Sequence, residues 1–439
     1  MNNIKKKEVF PELRFLEFKD KAGWIESKLI DVTNKKIKWS FIGGPFGSNL
    51  KSSDYVEKGI RIIQLQNIGD AKFNEKYKIF TSKEKADELL SNNIYPGDII
   101  ISKMGDPVGR ACLIPDTHDR YVMCSDGIRL VVDEKLHSKY FIYLLINDSR
   151  FRSIIEENST GSTRKRIGLA DLKNLPMCLP MRNEQQKIAD CISSLDELLR
   201  AQNQKLEVLK AHKKGCIQQL FPSEGKKLPE RRFPEFNDKW KVNEIGGLVS
   251  FISGYGFKSE YFSDTGKKLL IPKNFTKGGF ANFTDKNTKF TTEEYESKYV
   301  CKSGDLLLLL TDLTPSCELL GRPLLLGEND GEVLLNQRIV KIIPSEKIEL
   351  RFIQYFFSTN SYRKRIVDTA TGSTVKHSSN KIIASTKIHV PSLFEQRKIA
   401  DFISSVDDLI ISQNIKIEAL KNHKAGLMQQ LFPDIDKEG

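Results

Sequence analysis

The chain has no CxxC pair, and none of its seven cysteines (112, 124, 178, 191, 216, 301 and 317) sits in a Cys/His cluster with ligand spacing. This excludes a zinc finger or ribbon and a disulfide framework; scattered thiols of odd number read as reduced, in a cytoplasm. The six histidines are also scattered. The amino-terminal MNNIKKKEVF lacks the apolar run of a signal peptide, and the leucine run 306–310 is far too short to cross a bilayer. The sequence contains no G-x-x-x-x-G-K-[S/T] loop and no Asn-Pro-Pro-Tyr/Phe loop. A P-loop motor and an adenine methyltransferase of the usual type are thereby excluded.

What the sequence does have is excess positive charge and a duplication. The 439 residues carry a net charge of +12, with a pI near 9.1. Up to Pro222 there are 37 Lys/Arg against 29 Asp/Glu, a surplus of eight, and the remainder carries a surplus of four. Basicity spread over both halves favours a polyanionic partner through phosphate contacts and counterion release.

Residues 184–222 recur as 395–433 at a constant offset of 211, with 25 of 39 positions identical and no gap. The segment Thr160-Gly161-Ser162-Thr163 recurs as Thr371-Gly372-Ser373-Thr374 at the same offset. PELRFLEFKDKAGW (11–24) returns as PERRFPEFNDKW (229–240). Between these anchors the halves diverge, and residues 42–65 have only a loose echo in 252–271. A kept frame around a changed middle points to one scaffold presenting two different surfaces. The plainer alternative is duplication followed by drift without division of labour.

Each copy of the 39-residue segment has the 3.5-residue period of a coiled coil. The first seam is Ile188, Ile192, Leu195, Leu199, Gln202, Leu206, Leu209, Lys213, Cys216 and Leu220. The second is Ile399, Ile403, Val406, Ile410, Gln413, Ile417, Leu420, Lys424, Leu427 and Leu431. From Ile188 to Leu220 the helical rise is roughly 50 Å. Both seams turn polar at the same two places, Gln202 with Gln413 and Lys213 with Lys424, as residues that set register do. The pattern predicts that the helices pack as an antiparallel pair; the alternative is that each buttresses only its own domain. The remaining basic residues beside the seam, Lys205, Lys210, Lys214, Lys416 and Lys421, read as a solvated face open to partner subunits.

The intervening regions read as mixed α and β. Strands are expected at 60–65, 98–102 and 127–132, and helices at 139–157 and 350–368. Pro96-Gly97-Asp98 and Ser303-Gly304-Asp305 are turns feeding buried strands. The loop Lys103-Met104-Gly105-Asp106-Pro107-Val108-Gly109-Arg110 has the glycines and cations of a phosphate-approaching loop, and equally those of an ordinary connection.

The paired EQQKIAD/EQRKIAD helix starts, the paired KKGCIQQLFP/KAGLMQQLFP helix ends, the TGST segments and PGDIIISKMGDPVGR together resemble the specificity subunit of a type I restriction–modification system. The resemblance covers essentially the whole chain. The second half departs where LLLLLTDLTPSCELLGRP lacks the Lys-x-Gly-x-x-x-Gly loop, so its contacts need not copy the first. The resemblance implies an α+β architecture with a pseudo-two-fold internal repeat. Its parts are a recognition domain at 1–180, a central helix at 181–222, a second recognition domain at 223–391 and a terminal helix at 392–439.

It also implies a DNA reader without catalysis of its own. Each domain would take half of a split, asymmetric duplex target through the major groove, with the helix pair as a rigid spacer. The implied partners are double-stranded DNA, two modification subunits that use S-adenosylmethionine on adenine, and two ATP- and magnesium-dependent restriction subunits. No cofactor is implied for this chain itself. By residue type and loop position, candidate DNA contacts are Lys51, Gln66, Asn67, Lys103 and Arg110 in the first half, and Lys258, Lys273, Asn274, Gln337 and Arg338 in the second. Two other readings stay open: an enzyme with its site in a divergent middle, and a coiled-coil adaptor that binds only proteins. For the enzyme reading there is one nuclease-like echo, Pro115-Asp116 followed by Asp133-Glu134-Lys135.

Overall fold

Two 39-residue helices, Arg182–Leu220 and Leu393–Leu431, are the longest elements of the computed structural model, which describes residues 8–314 and 316–434. Pro315, the first seven residues of the amino-terminal segment and residues 435–439 of the terminal helix segment lie outside the described residues. Both helices begin two residues after a proline, carry a glutamate in the first turn and stop two residues before the next proline. These are the start and stop signals that pyrrolidine sterics and the helix dipole favour. Among the described residues no helix is long and apolar enough to cross a membrane.

The contacts divide the chain into two units. The first unit holds the residues up to Gln202 and those from Lys416 onward; the second holds Asn203–Ile415. Each long helix therefore gives its beginning to one unit and its end to the other.

Both units contain the same two sheets. In the first, an antiparallel sheet runs in the order Ala111–Leu113, Ile99–Ser102, Gly127–Leu130, Phe41–Gly43. Its second sheet has five strands, ordered Tyr55–Val56, Ile79–Thr81, Ile60–Ile63, Tyr121–Met123, Asn93–Ile94. One pair in that sheet, Ile60–Ile63 with Tyr121–Met123, is parallel. The second unit repeats the four-stranded order with Pro323–Leu325, Leu306–Leu309, Ile339–Pro344 and Val249–Ser253. Its own five-stranded sheet again contains one parallel pair, Lys267–Leu270 with Val333–Leu335. Ile99–Ser102 and Leu306–Leu309 are buried on both faces, which is why they read as unbroken apolar runs. Gly97 (φ 81°) and Gly304 (φ 87°) take the left-handed turn conformation that precedes each of these strands.

The helices expected at 139–157 and 350–368 are each broken in two. Asp148 interrupts the first between Lys139–Asn147 and Ser149–Glu157, accepting the Arg150 backbone N–H and an ion pair from its guanidinium. Thr359 does the same between Leu350–Phe356 and Asn360–Asp368, accepting from the Tyr362 N–H. Continuous apolar periodicity hides such a break, because a capping side chain competes locally with the helix for backbone donors.

The repeated sequence frame is the machinery that docks the helix ends. In the first unit the buried Glu184 accepts from the Arg14 guanidinium through both oxygens (2.8 and 2.7 Å) and from the Trp24 indole (3.3 Å). In the second, Glu395 accepts from Arg232 (2.6 and 2.8 Å) and Trp240 (3.3 Å). The adjoining glutamines satisfy backbone groups: Gln185 bonds Ser138 N and Pro180 O, and Gln396 bonds Glu349 N and Pro391 O. The LFP ends supply a phenylalanine to each aromatic core. Phe432 stacks on Phe141 (5.3 Å) and meets Trp24 edge-on (5.9 Å). Phe221 lies 4.8 Å from Phe352, which meets Trp240 edge-on at 6.1 Å. Each such ring contributes about 2–3 kcal/mol of burial plus about 1 kcal/mol per favourable ring pair.

Along the seam, Ile188, Ile192, Leu206, Ile399, Ile403, Val406, Ile410, Gln413 and Ile417 are buried, while Leu195, Leu199, Gln202, Leu209 and Leu420 are half-buried. The two seam lysines end on carboxylates within their own units. Lys424 pairs with Asp196 (2.5 Å), which also accepts from the Tyr140 hydroxyl (2.6 Å). Lys213 pairs with Asp407 (2.5 Å), which accepts from the Tyr355 hydroxyl (2.8 Å). Burial and the neighbouring carboxylate push both tyrosine hydroxyls upward, so they remain donors at any physiological pH.

Candidate nucleic-acid interface

Four loops meet at one edge of the four-stranded sheet in the first unit. The connection after Phe41–Gly43 is tied down where Gly44 N donates to Gly127 O at 2.7 Å. A Cβ on Gly44 would lie 1.7 Å from Cys124 O, so no other residue fits this approach. The Lys103–Arg110 loop joins the same place, with Lys103 N donating to Asp126 O at 2.7 Å. Its strand Met104–Gly105 pairs antiparallel with Lys165–Arg166, and Ile167 N donates to Lys103 O. Reciprocal backbone bonds between Thr160 and Arg166 close the TGST loop, with Gly161 at φ 103°. Ser162, Thr163 and Arg164 are exposed at its tip, and Arg166 pairs with Asp126 at 2.7 Å.

The second unit gathers the equivalent loops. Gly254 N donates to Ile339 O (3.0 Å), and a Cβ on Gly254 would lie 2.0 Å from Asn336 O. Leu310 N donates to Arg338 O, and Ser378 N donates to Leu310 O. Thr311–Asp312 pairs with Lys376–His377, and Thr371 and His377 close the second TGST loop.

A pair of arginines underlies each loop cluster. In the first unit, burial is the main force pulling the Arg152 guanidinium down; Asp70, at 3.2 Å, opposes it and nearby Arg110 adds to it. The Nε atoms of Arg110 and Arg152 are buried with no hydrogen-bond partner among the described residues. In the second unit burial, and then Arg322, lower the Arg363 pKa to about 10. Arg363 donates to the carbonyls of Cys317 and Leu320 within the longer loop of that unit.

Of the residues expected to touch DNA, Lys103 and Arg110 stand half-buried in the first cluster, and Gln337 and Arg338 are exposed in the second. Lys51, Gln66, Lys258 and Lys273 are exposed on adjoining turns; Lys258 pairs with Glu260 at 3.6 Å. Asn67 and Asn274 are corrections. Both are fully buried, each side-chain oxygen accepting a backbone N–H three residues earlier and each amide donating to carbonyls across its own turn. Their hydrogen-bonding capacity is spent on the fold, and no base edge can reach them. Arg164, Lys165 and Arg166, which the sequence reading did not single out, also lie in the first cluster. The basic run after the first TGST was visible, but only the strand pairing brings it to Lys103. Among the described residues no group of three or more His, Cys, Asp or Glu side chains is placed to hold a metal ion, and in the nuclease-like string Glu134 pairs with Lys139.

The Type I restriction modification DNA specificity domain matches the chain twice, over residues 54–211 and 237–422. The chain belongs to this family. As a type I specificity subunit with two recognition domains, it is similar to the MjaVIII specificity subunit of Methanocaldococcus jannaschii, with 27% identity over 301 residues, covering 66% of this chain and 69% of that protein. The EcoKI specificity subunit of Escherichia coli K12 is 24% identical over 429 residues, covering 93% and 88%. The crystal structure of the type I S subunit from M. genitalium shares the fold, with a TM-score of 0.55, 17% identity and coverage of 97% and 100%. A chain in a solved type I R-M system structure gives a TM-score of 0.56 at 15% identity, covering 94% and 98%.

Proposed function

We propose that this specificity subunit reads a bipartite, asymmetric duplex target, one half with each loop cluster, and docks modification subunits along its paired helices. The observation that carries this reading is that one scaffold, built twice, converges the same four loops but fills them differently. Lys103, Arg110, Arg164 and Arg166 make the first cluster strongly cationic, whereas Gln337, Arg338, Lys376 and His377 occupy the second. Cations at loop tips suit phosphate contacts, and the amide and guanidinium groups suit base edges in the major groove.

The long helices form an antiparallel coiled coil that acts as the spacer between half-sites, giving the molecule pseudo-two-fold symmetry. The equivalent Lys–Asp–Tyr clusters support this, since each joins the start of one helix to the end of the other inside a single unit. Methyl transfer with S-adenosylmethionine and ATP- and magnesium-driven cleavage belong to two modification and two restriction subunits in a prokaryotic cytoplasm. This chain carries no catalytic residue.

The test is binding by the purified full chain to duplexes carrying the sequence found by mapping methylated adenines in the host genome. Affinity should fall steeply with salt, and deleting one heptad from both helices should shorten the spacer of the methylated sequence. Salt-independent binding, or an unchanged spacer, would sink the respective half of the proposal. Methyl transfer or cleavage by the chain alone would overturn the non-catalytic assignment.

A further inference from the structure

Phe46 is an apolar ring held out in water with no structural reason inside the fold. At 82% exposure it is the most exposed large hydrophobic side chain among the described residues, and no ring partner packs on it. Its loop is not loose at the base. Gly44 is pinned against Cys124 and Gly127, Asn92 donates to Gly43 O at 2.9 Å, and Asn49 N closes a turn onto Phe46 O at 2.8 Å. The backbone thus projects the ring from the edge where the cationic loops 103–110 and 160–166 converge. In the second unit the equivalent glycine, Gly254, is followed by Tyr255 where the first unit has Pro45, and Gly256 stands at the place of Phe46, so the nearest exposed aromatic there is Tyr255. It is only 37% exposed, packs edge-on against Phe257 (5.0 Å) and donates its hydroxyl to Glu293.

A major groove offers hydrogen-bonding edges at every base pair but only one kind of apolar group, the C5-methyl of thymine. We propose that Phe46 is a specificity-determining contact to a thymine methyl in the half-site read by the first unit. This rests on the DNA-reading function proposed above. Lysines and arginines around the ring hold the phosphates and give affinity without sequence, while the ring rewards a methyl and rejects the bare polar edge of cytosine. The second unit, whose tyrosine is tied back onto its own surface, lacks this contact.

The experiment replaces each thymine of the mapped target, one at a time, by deoxyuridine, which removes only the methyl group. Binding of the full chain is then measured at fixed salt for the native protein and for Phe46→Ala and Phe46→Leu. One substitution should weaken native binding by about fourfold, the scale of one buried methyl. The same substitution should cost Phe46→Ala less than twofold and Phe46→Leu an intermediate factor. The Phe46→Ala salt dependence and melting temperature should match those of the native chain. The inference is overturned if Phe46→Ala binds the thymine target as the native chain does, or if deoxyuridine costs both proteins the same at every position. If the native chain shows no sequence-dependent binding at all, the reading function itself fails, a result distinct from either of these.

Discussion

In the first unit the connection from Ser102 to Ala111 is a short glycine-containing loop, Lys103–Arg110. In the second the matching connection runs from Leu310 to Arg322 and is held internally. Asp312 accepts the backbone N–H groups of Thr314, Leu319 and Leu320, and Arg363 reaches the carbonyls of Cys317 and Leu320. Those hydrogen bonds hold the Asp312 pKa down against its burial. Arg152, at the place of Arg363, turns instead to Asp70 on another loop. The frame repeats its docking residues, Arg14 with Arg232, Trp24 with Trp240 and Glu184 with Glu395, so the loops can differ without disturbing the helix docking. On the proposed function, separating the parts that hold from the parts that read would let one scaffold carry two specificities.

The first way to break this comparison is at the shared frame. Glu184→Ala should cost about 3–5 kcal/mol, since it leaves the Arg14 guanidinium without its carboxylate and the Trp24 indole without its acceptor in the core. Glu395→Ala should cost somewhat less, because Arg232 is 17% exposed against 7% for Arg14. Urea denaturation of the two variants checks both values, and equal losses would mean that the exposure of the arginine does not set the cost. Next, Arg363→Met should destabilise by about 2–3 kcal/mol and speed amide exchange across 316–322, through loss of charge-assisted bonds to loop carbonyls. Arg152→Met should cost less than half as much, because its carboxylate partner Asp70 is 71% exposed and screened.

A further difference between the units is expected in the helix seam. Asp407 is 4% exposed and Asp196 is 26% exposed, so removing the lysine partner strands a buried charge only in the second unit. Lys213→Met should cost about 2 kcal/mol and Lys424→Met about 1 kcal/mol or less, read from thermal melts. Equal costs would mean the two clusters are not distinguished by burial.

Much of this was legible beforehand. The two long helices, the glycine turns before the buried strands and the family resemblance all lie in local patterns, and a 211-residue offset needs no coordinates to be seen. The broken helices at Asp148 and Thr359 were not legible, because a cap and a mid-helix residue look alike until the backbone commits. Asn67 and Asn274 misled for a related reason. A loop asparagine among charged neighbours has the composition of a DNA contact, yet both side chains fold inward to satisfy their own turns.

By itself the sequence determined that the chain is a duplicated scaffold with two long amphipathic helices and two dissimilar middles, because periodicity and repetition are properties of neighbouring residues. Only the tertiary structure decided that each helix is shared between the units, that Lys103 meets the TGST loop, and that Phe46 stands outward while Asn67 turns in. The first two depend on contacts between residues tens to hundreds of positions apart, and Asn67 turns in on turn carbonyls seven and ten residues away, so none is encoded by the identity of a residue and its immediate neighbours.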